Sequence, residues 1–194
     1  GFALDLTTTN DKGEPWDFSL VSKRKEAEDL VDEVQADLLI GSPMCKEFSQ
    51  WQQLNVAKSD DLEGYAHRKK AAVEHLAFMC RLYAKQLKGG RLFLHKHPLQ
   101  ASSLDEECIQ KVLKNPEVST VVMDQCQFGQ QDKNGDPIKK RYEMDVERSP
   151  TIHASQQTMR GKRKRVFRQS QRAIPQTMLW GSGKGSGHIY ISTL

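Results

Sequence analysis

The feature that most constrains the fold is an alternation of short apolar runs with longer amphipathic stretches, from the first residues to about Met123. A short apolar run between turn residues is typical of a buried strand, and apolar residues recurring every three to four positions are typical of a helix. Strands that alternate with helices form parallel sheets. The sequence therefore predicts an α/β fold with a doubly wound, mostly parallel sheet.

This pattern also places the individual elements. The predicted strands are Phe2–Leu6, Ala36–Ile40, Arg91–His95 and Val118–Met123. The predicted helices are Lys23–Gln35, Tyr65–Lys88 and a shorter one that runs from a capping box at Ser103–Glu106 to about Leu113. We expect the four strands to lie parallel in one sheet, because a helix joins each strand to the next.

The C-terminal third of the chain lacks this regularity. Residues 130–194 are polar, basic and rich in turn residues, so we divide the chain into an α/β domain at 1–140 and a basic, Gly/Ser-containing tail at 141–194. The tail shows no consistent helical or strand period, and we expect it to be irregular and to pack poorly.

The positive charge is concentrated in this tail. The chain carries 29 Lys and Arg against 25 Asp and Glu, and Arg160–Arg172 holds seven basic residues and no acidic one. Such a run is either a solvated tail or a phosphate-binding arm. If it binds nucleic acid, its densest part supplies the contacts: Arg160, Lys162, Arg163, Lys164 and Arg165.

Composition narrows the class of protein. No apolar run approaches the roughly 20 residues of a membrane-spanning helix, and the N-terminus lacks the basic-then-apolar form of a signal peptide. The four cysteines are far apart with no C-x-x-C pair, which argues against a zinc ribbon or a disulfide framework. We expect an intracellular protein of the nucleus or cytoplasm, with no membrane partner and no metal.

Polar and reactive residues follow all four predicted strands. Asp5 ends the first strand, a Gly-Ser-Pro turn and Cys45 follow the second, His95-Lys96-His97-Pro98 ends the third, and Asp124 follows the fourth. Open parallel sheets bind ligands where the carboxyl ends of their strands meet. The sequence therefore predicts a site at this edge of the sheet.

Several side chains at this edge have alternative interpretations. Cys45 is either a nucleophile in a tight loop or a buried, inert thiol. His95 and His97 point to the same side of an extended segment, and because no third ligand has suitable spacing, a structural role is favoured over metal binding. Trp16 and Trp51 either stack on a base or form an aromatic rim of the core.

Five sequence blocks resemble a known family. The loop GSPMCKEFS, Gly41–Ser49, resembles the G-x-P-P-C-x-x-F-S loop of the C5-cytosine DNA methyltransferases. More closely, the chain is similar over about residues 1–140 to a methyltransferase-like family found in large polyproteins, some of them retroelement-derived. The blocks occur in the family's order: Ala3–Thr8, Trp16–Ser19, Leu39–Ser49, Gly90–Pro98 and Asp124–Gly129.

The resemblance implies a Rossmann-like methyltransferase fold, with its first strand and Gly-rich cofactor loop placed before Phe2. It also implies a methyl-transfer reaction. Cys45 would add to carbon 6 of a flipped-out cytosine in DNA, which makes carbon 5 nucleophilic towards the methyl group of S-adenosylmethionine. Asp5 would bind the cofactor ribose, Asp17 and Phe18 would hold the adenine, and Ser42 and Pro43 would line the methionine end.

The chain departs from the family pattern at the third strand end. The family's H-E-H-P is His95-Lys96-His97-Pro98 here, so the resemblance places His95, Lys96 and His97 with Cys45 among the catalytic positions. In the cytosine enzymes a glutamate at this strand end holds and protonates the base. A lysine cannot accept that hydrogen bond. The family's K-K-P-T-x-[FW]-M segment is also missing after Lys140. Two alternatives therefore stand beside an active enzyme: an inactive methyltransferase-fold remnant or binding module of a polyprotein, and a basic nucleic-acid-binding protein.

Overall fold

The computed structural model describes residues 1–56, 60–124, 131–137, 141–147 and 188–192, with backbone alone at 53–54, 123–124, 141–147, 188 and 192. Its strands are β1 Phe2–Leu4, β2 Leu38–Ser42, β3 Leu92–Pro98, β4 Val118–Asp124, β5 Arg141–Glu147 and β6 His188–Ser192. Its α-helices are α1 Val21–Val34, α2 Gln50–Val56, α3 Leu62–Lys88 and α4 Glu107–Leu113. Short 3-10 turns cover Lys46–Phe48 and Ser102–Asp105. The α/β class predicted from the sequence is confirmed.

The sheet is mixed, with the strand order β1-β6-β2-β3-β5-β4. β2 and β3 are parallel neighbours. β6 is antiparallel to both β1 and β2, and β5 is antiparallel to both β3 and β4. The four strands predicted from the sequence therefore run in one direction within one sheet. The expectation of a mostly parallel sheet is wrong, because β6 lies antiparallel between β1 and β2, and β5 lies antiparallel between β3 and β4.

Both antiparallel strands come from the part of the chain that was expected to be irregular. That expectation is wrong for Arg141–Glu147 and His188–Ser192. The first alternates polar and apolar residues, Tyr142, Met144 and Val146 being apolar, which is the period of a half-buried strand. The second is a run of only three apolar residues, two of them β-branched, and such residues favour a pleated, half-buried surface.

One face of the sheet packs against a single layer of helices. Alternate residues of the central strands, Leu39, Phe93 and Ile189 among them, belong to the main apolar core together with residues of α1, α3 and α4. The other face of these strands carries Leu38, Ile40, Leu94 and Tyr190, which are also buried. The continuous apolar run in β2 follows from burial on both faces.

Helix α3 is the main support of the sheet. Asp61 caps its first turn by accepting a hydrogen bond from the Gly64 amide at 2.9 Å, and the helix ends at the predicted glycines, with Gly90 at φ 63°. Near its end, the buried Gln86 amide donates to the carbonyls of Ala36 and Leu92, each at 2.9 Å. A side chain of α3 thus joins the starts of β2 and β3.

The predicted capping box at Ser103 is not formed. Ser103 lies inside the 3-10 turn Ser102–Asp105, and α4 begins only at Glu107. The Ser103 hydroxyl is buried and hydrogen-bonded to His97 Nδ1. The sequence predicted that this hydroxyl caps the start of a helix, whereas in the structure it is hydrogen-bonded to His97.

Candidate functional site

The strand directions bring the predicted chemistry to one edge. Because β1, β2, β3 and β4 run the same way, their last residues, Leu4, Ser42, Pro98 and Asp124, lie along the same edge of the sheet. β2 and β3 are neighbours there, whereas β6 separates β1 from β2 and so places Asp5 about 10 Å across the sheet from the end of β2. The densest part of this edge is therefore the pair of loops that follow β2 and β3.

Cys45 lies in the loop that follows β2. Ser42 is half-buried at the end of the strand, Pro43 is buried, and the half-buried, free Cys45 forms the N-terminal cap of the 3-10 turn Lys46–Phe48. Phe48 is fully buried, and its amide donates to the Cys45 carbonyl at 3.2 Å. The aromatic side chain anchors the loop and holds the thiol between the core and the surface.

This loop is tied to the loop that follows β3. The Ser102 hydroxyl donates to the Phe48 carbonyl at 3.2 Å, and the ring of Phe48 lies 5.9 Å from the ring of His97 in an edge-on arrangement. Lys69 of α3 places its ammonium 3.8 Å from the centre of the Phe48 ring. Loops from two neighbouring strands and a turn of α3 thus form one packed unit beside Cys45.

His95 and His97 are both completely buried beneath α3. Their rings stack at 5.1 Å, and each Nδ1 has a hydroxyl partner: Tyr83 at 2.9 Å for His95, and Ser103 for His97. Neither Nε2 has a hydrogen-bond partner among the residues that the structure describes. The pair supports the strand end from inside, which favours the structural interpretation of these histidines over the catalytic one.

Burial determines the protonation of this pair. Desolvation lowers the pKa of His95 well below its usual value, and His97 lowers it further. Desolvation, with the charge of Lys96 as a second cause, lowers the pKa of His97 to about 3. Both rings are therefore neutral at physiological pH.

Lys96 lies between the two histidines in sequence and on the opposite face of the sheet. Its side chain is half-buried. At the strand end where the family pattern has a glutamate, the chain thus places a cation on one face of β3 and two neutral imidazoles on the other.

Asp5 and Asp17 belong to the loop between β1 and α1. Asp5 Oδ1 accepts hydrogen bonds from the Thr7 amide at 2.7 Å and the Thr7 hydroxyl at 2.6 Å. Asp17 Oδ1 accepts from the Ser19 amide at 2.9 Å. Both carboxylates are half-buried, and each accepts the hydrogen bonds of its own turn through Oδ1. Their positions therefore fit polar contacts to a ligand at this edge.

The aromatic residues of the same loop belong to the core. Phe18 is buried, with its ring 5.2 Å from that of Phe78 and 5.8 Å from that of His75. Trp16 is buried beside it at 6.5 Å, whereas Trp51 on α2 is 77% exposed. Of these three aromatic side chains, only Trp51 has a face open to a ligand, so Phe18 does not fit the adenine contact that the resemblance implies.

An ion-pair network holds this loop on α1. The Lys23 ammonium is buried and lies 2.6 Å from Glu14 and 2.9 Å from Glu26, and Asn10 donates to Glu26 at 2.7 Å. Both glutamates accept hydrogen bonds from Lys23 and Asn10, and these bonds lower the pKa of each carboxyl group. The bonds that Lys23 donates to the glutamates raise the pKa of Lys23. Local sequence did not indicate this network, because its members are up to 16 positions apart.

Three further residues at this edge were not predicted. Tyr83 and Ser103 hold the histidines, and Glu47 is buried two residues after Cys45 with Oε2 lacking a hydrogen-bond partner in the described part of the chain. Its other oxygen lies 3.9 Å from Arg68. Tyr83 had a sequence signal as part of the apolar stripe of α3, and Ser103 had one as a predicted helix cap, but neither signal predicted a hydrogen bond to a histidine.

Some predicted residues lie outside this description. Cys126 and the basic positions Arg160, Lys162, Arg163, Lys164 and Arg165 fall outside the described residues, and Asp124 is described by its backbone alone. Across the described ranges, no helix is long and apolar enough to cross a membrane, and no three His, Cys, Asp or Glu side chains are grouped as a metal site requires.

Comparison of the chain with known protein families, with curated proteins and with solved structures found no match. The functional interpretation therefore depends on the residues and the geometry of the chain itself.

Proposed function

We propose that this chain is a C5-cytosine methyltransferase-like domain with a Rossmann-like architecture, in which Cys45 is the nucleophile and Lys96 impairs turnover. The observation that carries the proposal is the position of Cys45. A half-buried free thiol lies in an anchored loop at the edge of the sheet along which the ends of β1, β2, β3 and β4 lie, next to the adjacent ends of β2 and β3. Ligand sites in α/β sheets occur at this edge.

The chemistry assigned to Cys45 is covalent addition to a pyrimidine. The thiolate would form a bond to carbon 6 of a cytosine that has left the helix, and the electron pair of the C5–C6 double bond would move towards carbon 5. Carbon 5 would then form a bond to the methyl group, its proton would pass to water, and departure of the Cys45 thiolate would restore the C5–C6 double bond. S-adenosylmethionine supplies an electrophilic methyl group when bound.

The residues offer a partial fit to that cofactor. Asp5 and Asp17 are half-buried carboxylates at the same edge and would accept hydrogen bonds from a ribose and an exocyclic amine. Ser42 and Pro43 adjoin Cys45 and would face the methionine end. The Phe18 ring is buried in the core, so adenine would have to be held without it.

The presence of Lys96 is the reason to expect reduced methyltransferase activity. Addition to cytosine is favoured when a carboxyl group holds and protonates the base, and an ammonium group cannot accept a hydrogen bond. We therefore expect the domain to bind a base near Cys45 but to turn over slowly. Lys96 also favours the second candidate, an inactive binding module of a larger protein.

The proposal predicts the outcome of covalent trapping. The wild-type chain and the variants Cys45→Ser and Lys96→Glu are incubated with S-adenosylmethionine and a 5-fluorocytosine oligonucleotide, and adducts are resolved on denaturing gels. Trapping should be weak in the wild type and absent in Cys45→Ser. In Lys96→Glu it should be faster by roughly 100-fold or more, the scale of one positioned acid–base group.

Cys108→Ser is the matched control, because Cys108 is also a half-buried free thiol but lies on α4. An adduct that persists in Cys45→Ser, or that is lost in Cys108→Ser, would rule out Cys45 as the nucleophile. Titration calorimetry with the cofactor and the oligonucleotide separates the two candidates: binding without trapping in Lys96→Glu supports the inactive module.

A further inference from the structure

A groove of about 700 Å³ lies between α3 and α4, on the helical layer and separate from the Cys45 loop. Its α3 wall runs from Ala77 to Lys88 and its α4 wall from Glu107 to Asn115. At 1.5 Å per residue the α3 wall is about 17 Å long, roughly three helical turns. The dimensions are those of a channel along a helix pair rather than of a closed cavity.

The floor of the groove is apolar and built from small side chains. Ala77 and Ala84 lie seven residues apart on one stripe of α3, and Ala84 is exposed. Cys80 lies between them, and Cys108 and Val112 face them from α4. Small residues in such a stripe allow another helix to approach to about 8–10 Å between axes.

The rim of the groove is predominantly basic. Among the described residues, Arg81, Lys88 and Lys111 line it, against the one acidic residue Glu107, which pairs with Lys111 at 2.8 Å. Arg81 pairs with Glu28 of α1 at 2.8 Å. The Lys111–Glu107 pair is exposed, and the Arg81–Glu28 pair is exposed on the arginine side. Exposed pairs contribute little to stability, so a partner's carboxylate can replace Glu107 at small cost and can approach Arg81 from the open side.

We propose that this groove binds an amphipathic helix of a protein partner, with its apolar stripe on the floor and acidic residues beside the stripe. Recognition of a helix in a groove uses apolar side chains at i, i+3, i+4 and i+7 of the bound segment. The apolar floor favours a peptide over a nucleic acid, which would place phosphates along the rim and leave the floor uncovered. The proposal is independent of the chemistry assigned to Cys45.

A displayed library of helical peptides tests this proposal. The probes are about four turns long and have an apolar stripe of Leu, Ile, Met and Ala and flanking positions that are Glu, Gln or Lys. Selection on the full chain should enrich peptides with Glu at the flanks. Their affinity should fall about tenfold or more, equivalent to at least 1.4 kcal/mol, for Ala84→Arg, which fills the groove from an exposed position.

Ala71→Arg is the matched control, since Ala71 is also exposed on α3 but does not line the groove. It should leave the affinity unchanged, and Lys88→Gln should weaken the Glu-flanked peptides. A bound peptide should also slow alkylation of Cys108 by N-ethylmaleimide without slowing that of Cys45.

Three outcomes would overturn the proposal. The first is no enrichment over the unselected library. The second is enriched peptides that bind Ala84→Arg as well as wild type or that carry Lys at the flanks. The third is a mixed-sequence single-stranded oligonucleotide that binds the chain, is weakened by Lys88→Gln and excludes the peptides, which would assign the rim to a nucleic acid.

Discussion

At the scale of single residues, the stacked pair His95 and His97 is the least ordinary feature of the core. Two imidazoles are buried side by side, each held at Nδ1 by a hydroxyl and each with its Nε2 unpartnered within the described structure. Burying a charge without a counter-charge is costly, so the fold requires both rings to be neutral. The protein should therefore lose stability when these rings are forced to take up protons.

The first prediction is a pH dependence. The pKa of each ring is lower in the folded state than its usual value of about 6.5. Below pH 6.5 the unfolded state therefore binds more protons than the folded state. The stability is fully present above that pH and falls as the pH is lowered through it. At pH 5.5 each ring should cost about 1.4 kcal/mol relative to pH 8. Urea unfolding monitored by circular dichroism across this range measures the loss.

His97→Gln should make this dependence shallower, because the amide keeps a partner for Ser103 but does not titrate. His67→Gln is the control, since His67 is exposed on the same protein. Glu14 and Glu26, whose pKa values are lowered below about 4.5, lose their contribution only at lower pH. An unchanged slope in both His97→Gln and His95→Gln would show that other groups cause the effect.

At the scale of elements, the contact between β2 and α3 determines how the candidate site is supported. Gly41 of β2 lies beside His95 of β3 in the parallel ladder, and the Tyr83 hydroxyl occupies the space where a side chain at position 41 would project. The Tyr83 ring stacks on Phe93 at 4.6 Å. A glycine on the strand thus leaves room for the tyrosine that holds the buried histidine.

The second prediction follows from this close approach. In Gly41→Ala the new methyl group would overlap the Tyr83 hydroxyl and the Met79 methyl, and both side chains are fully buried. Overpacking of a core typically costs about 1–3 kcal/mol, and displacement of Tyr83 would also break its bond to His95. We expect a loss of at least about 2 kcal/mol in urea unfolding.

Gly13→Ala provides the comparison, since Gly13 lies in an exposed turn with open space around it but at φ 75°. Its cost should be confined to the backbone, about 1 kcal/mol. If Gly41→Ala were no more destabilising than Gly13→Ala, the contact between β2 and α3 would not be as tight as described.

At the scale of the whole molecule, a strand from the end of the chain joins the beginning of the chain to the rest of the sheet. β6 lies between β1 and β2, and Ile189, Tyr190 and Ile191 are buried. Of the described strands, β6 is the one that pairs with β1. The position of Asp5, and of the loop that carries Asp17, therefore depends on residues nearly 190 positions away in sequence.

The third prediction concerns this long-range pairing. Deleting residues 188–194 should expose the amides of Phe2–Leu4 and one edge of β2, because both lose their ladder partner. Amide hydrogen exchange should show loss of protection in β1, with β3 less affected. Ile189→Ala, which removes a fully buried side chain but keeps the strand, should cost about 2–5 kcal/mol and retain the β1 protection pattern.

A deletion that leaves β1 as protected as in the full chain would show that β6 is not its essential partner. In that case, the position of Asp5 would depend on the turn made by Thr7 and Thr8 and on the Lys23 network, not on the sheet.

Most of the regular elements could be predicted from local signals in the amino-acid sequence. The four strands that run in one direction, α1, α3 and its glycine end, and the position of Cys45 after β2 all follow from apolar periodicity and turn residues, which act between neighbours in the chain. For most strand ends, the predicted and observed positions differ by two residues or fewer. The remaining differences arise because pairing with neighbouring strands sets where a strand ends. The structural interpretation of His95 and His97 followed from the lack of a third ligand at suitable spacing in the sequence.

Other features of the fold depend on contacts between residues that are distant in sequence, and local signals could not predict them. The insertion of β5 and β6 between the predicted strands is a matter of pairing across the sheet, and a short alternating or apolar segment cannot specify which edge it will join. The loss of the Ser103 cap to His97, the burial of Phe18 in the core and the Lys23 network have the same cause. In each case, a polar or aromatic side chain contacts residues that are distant in sequence and not those of its own turn. A buried polar group needs a hydrogen-bond partner, and tertiary contacts supply it here.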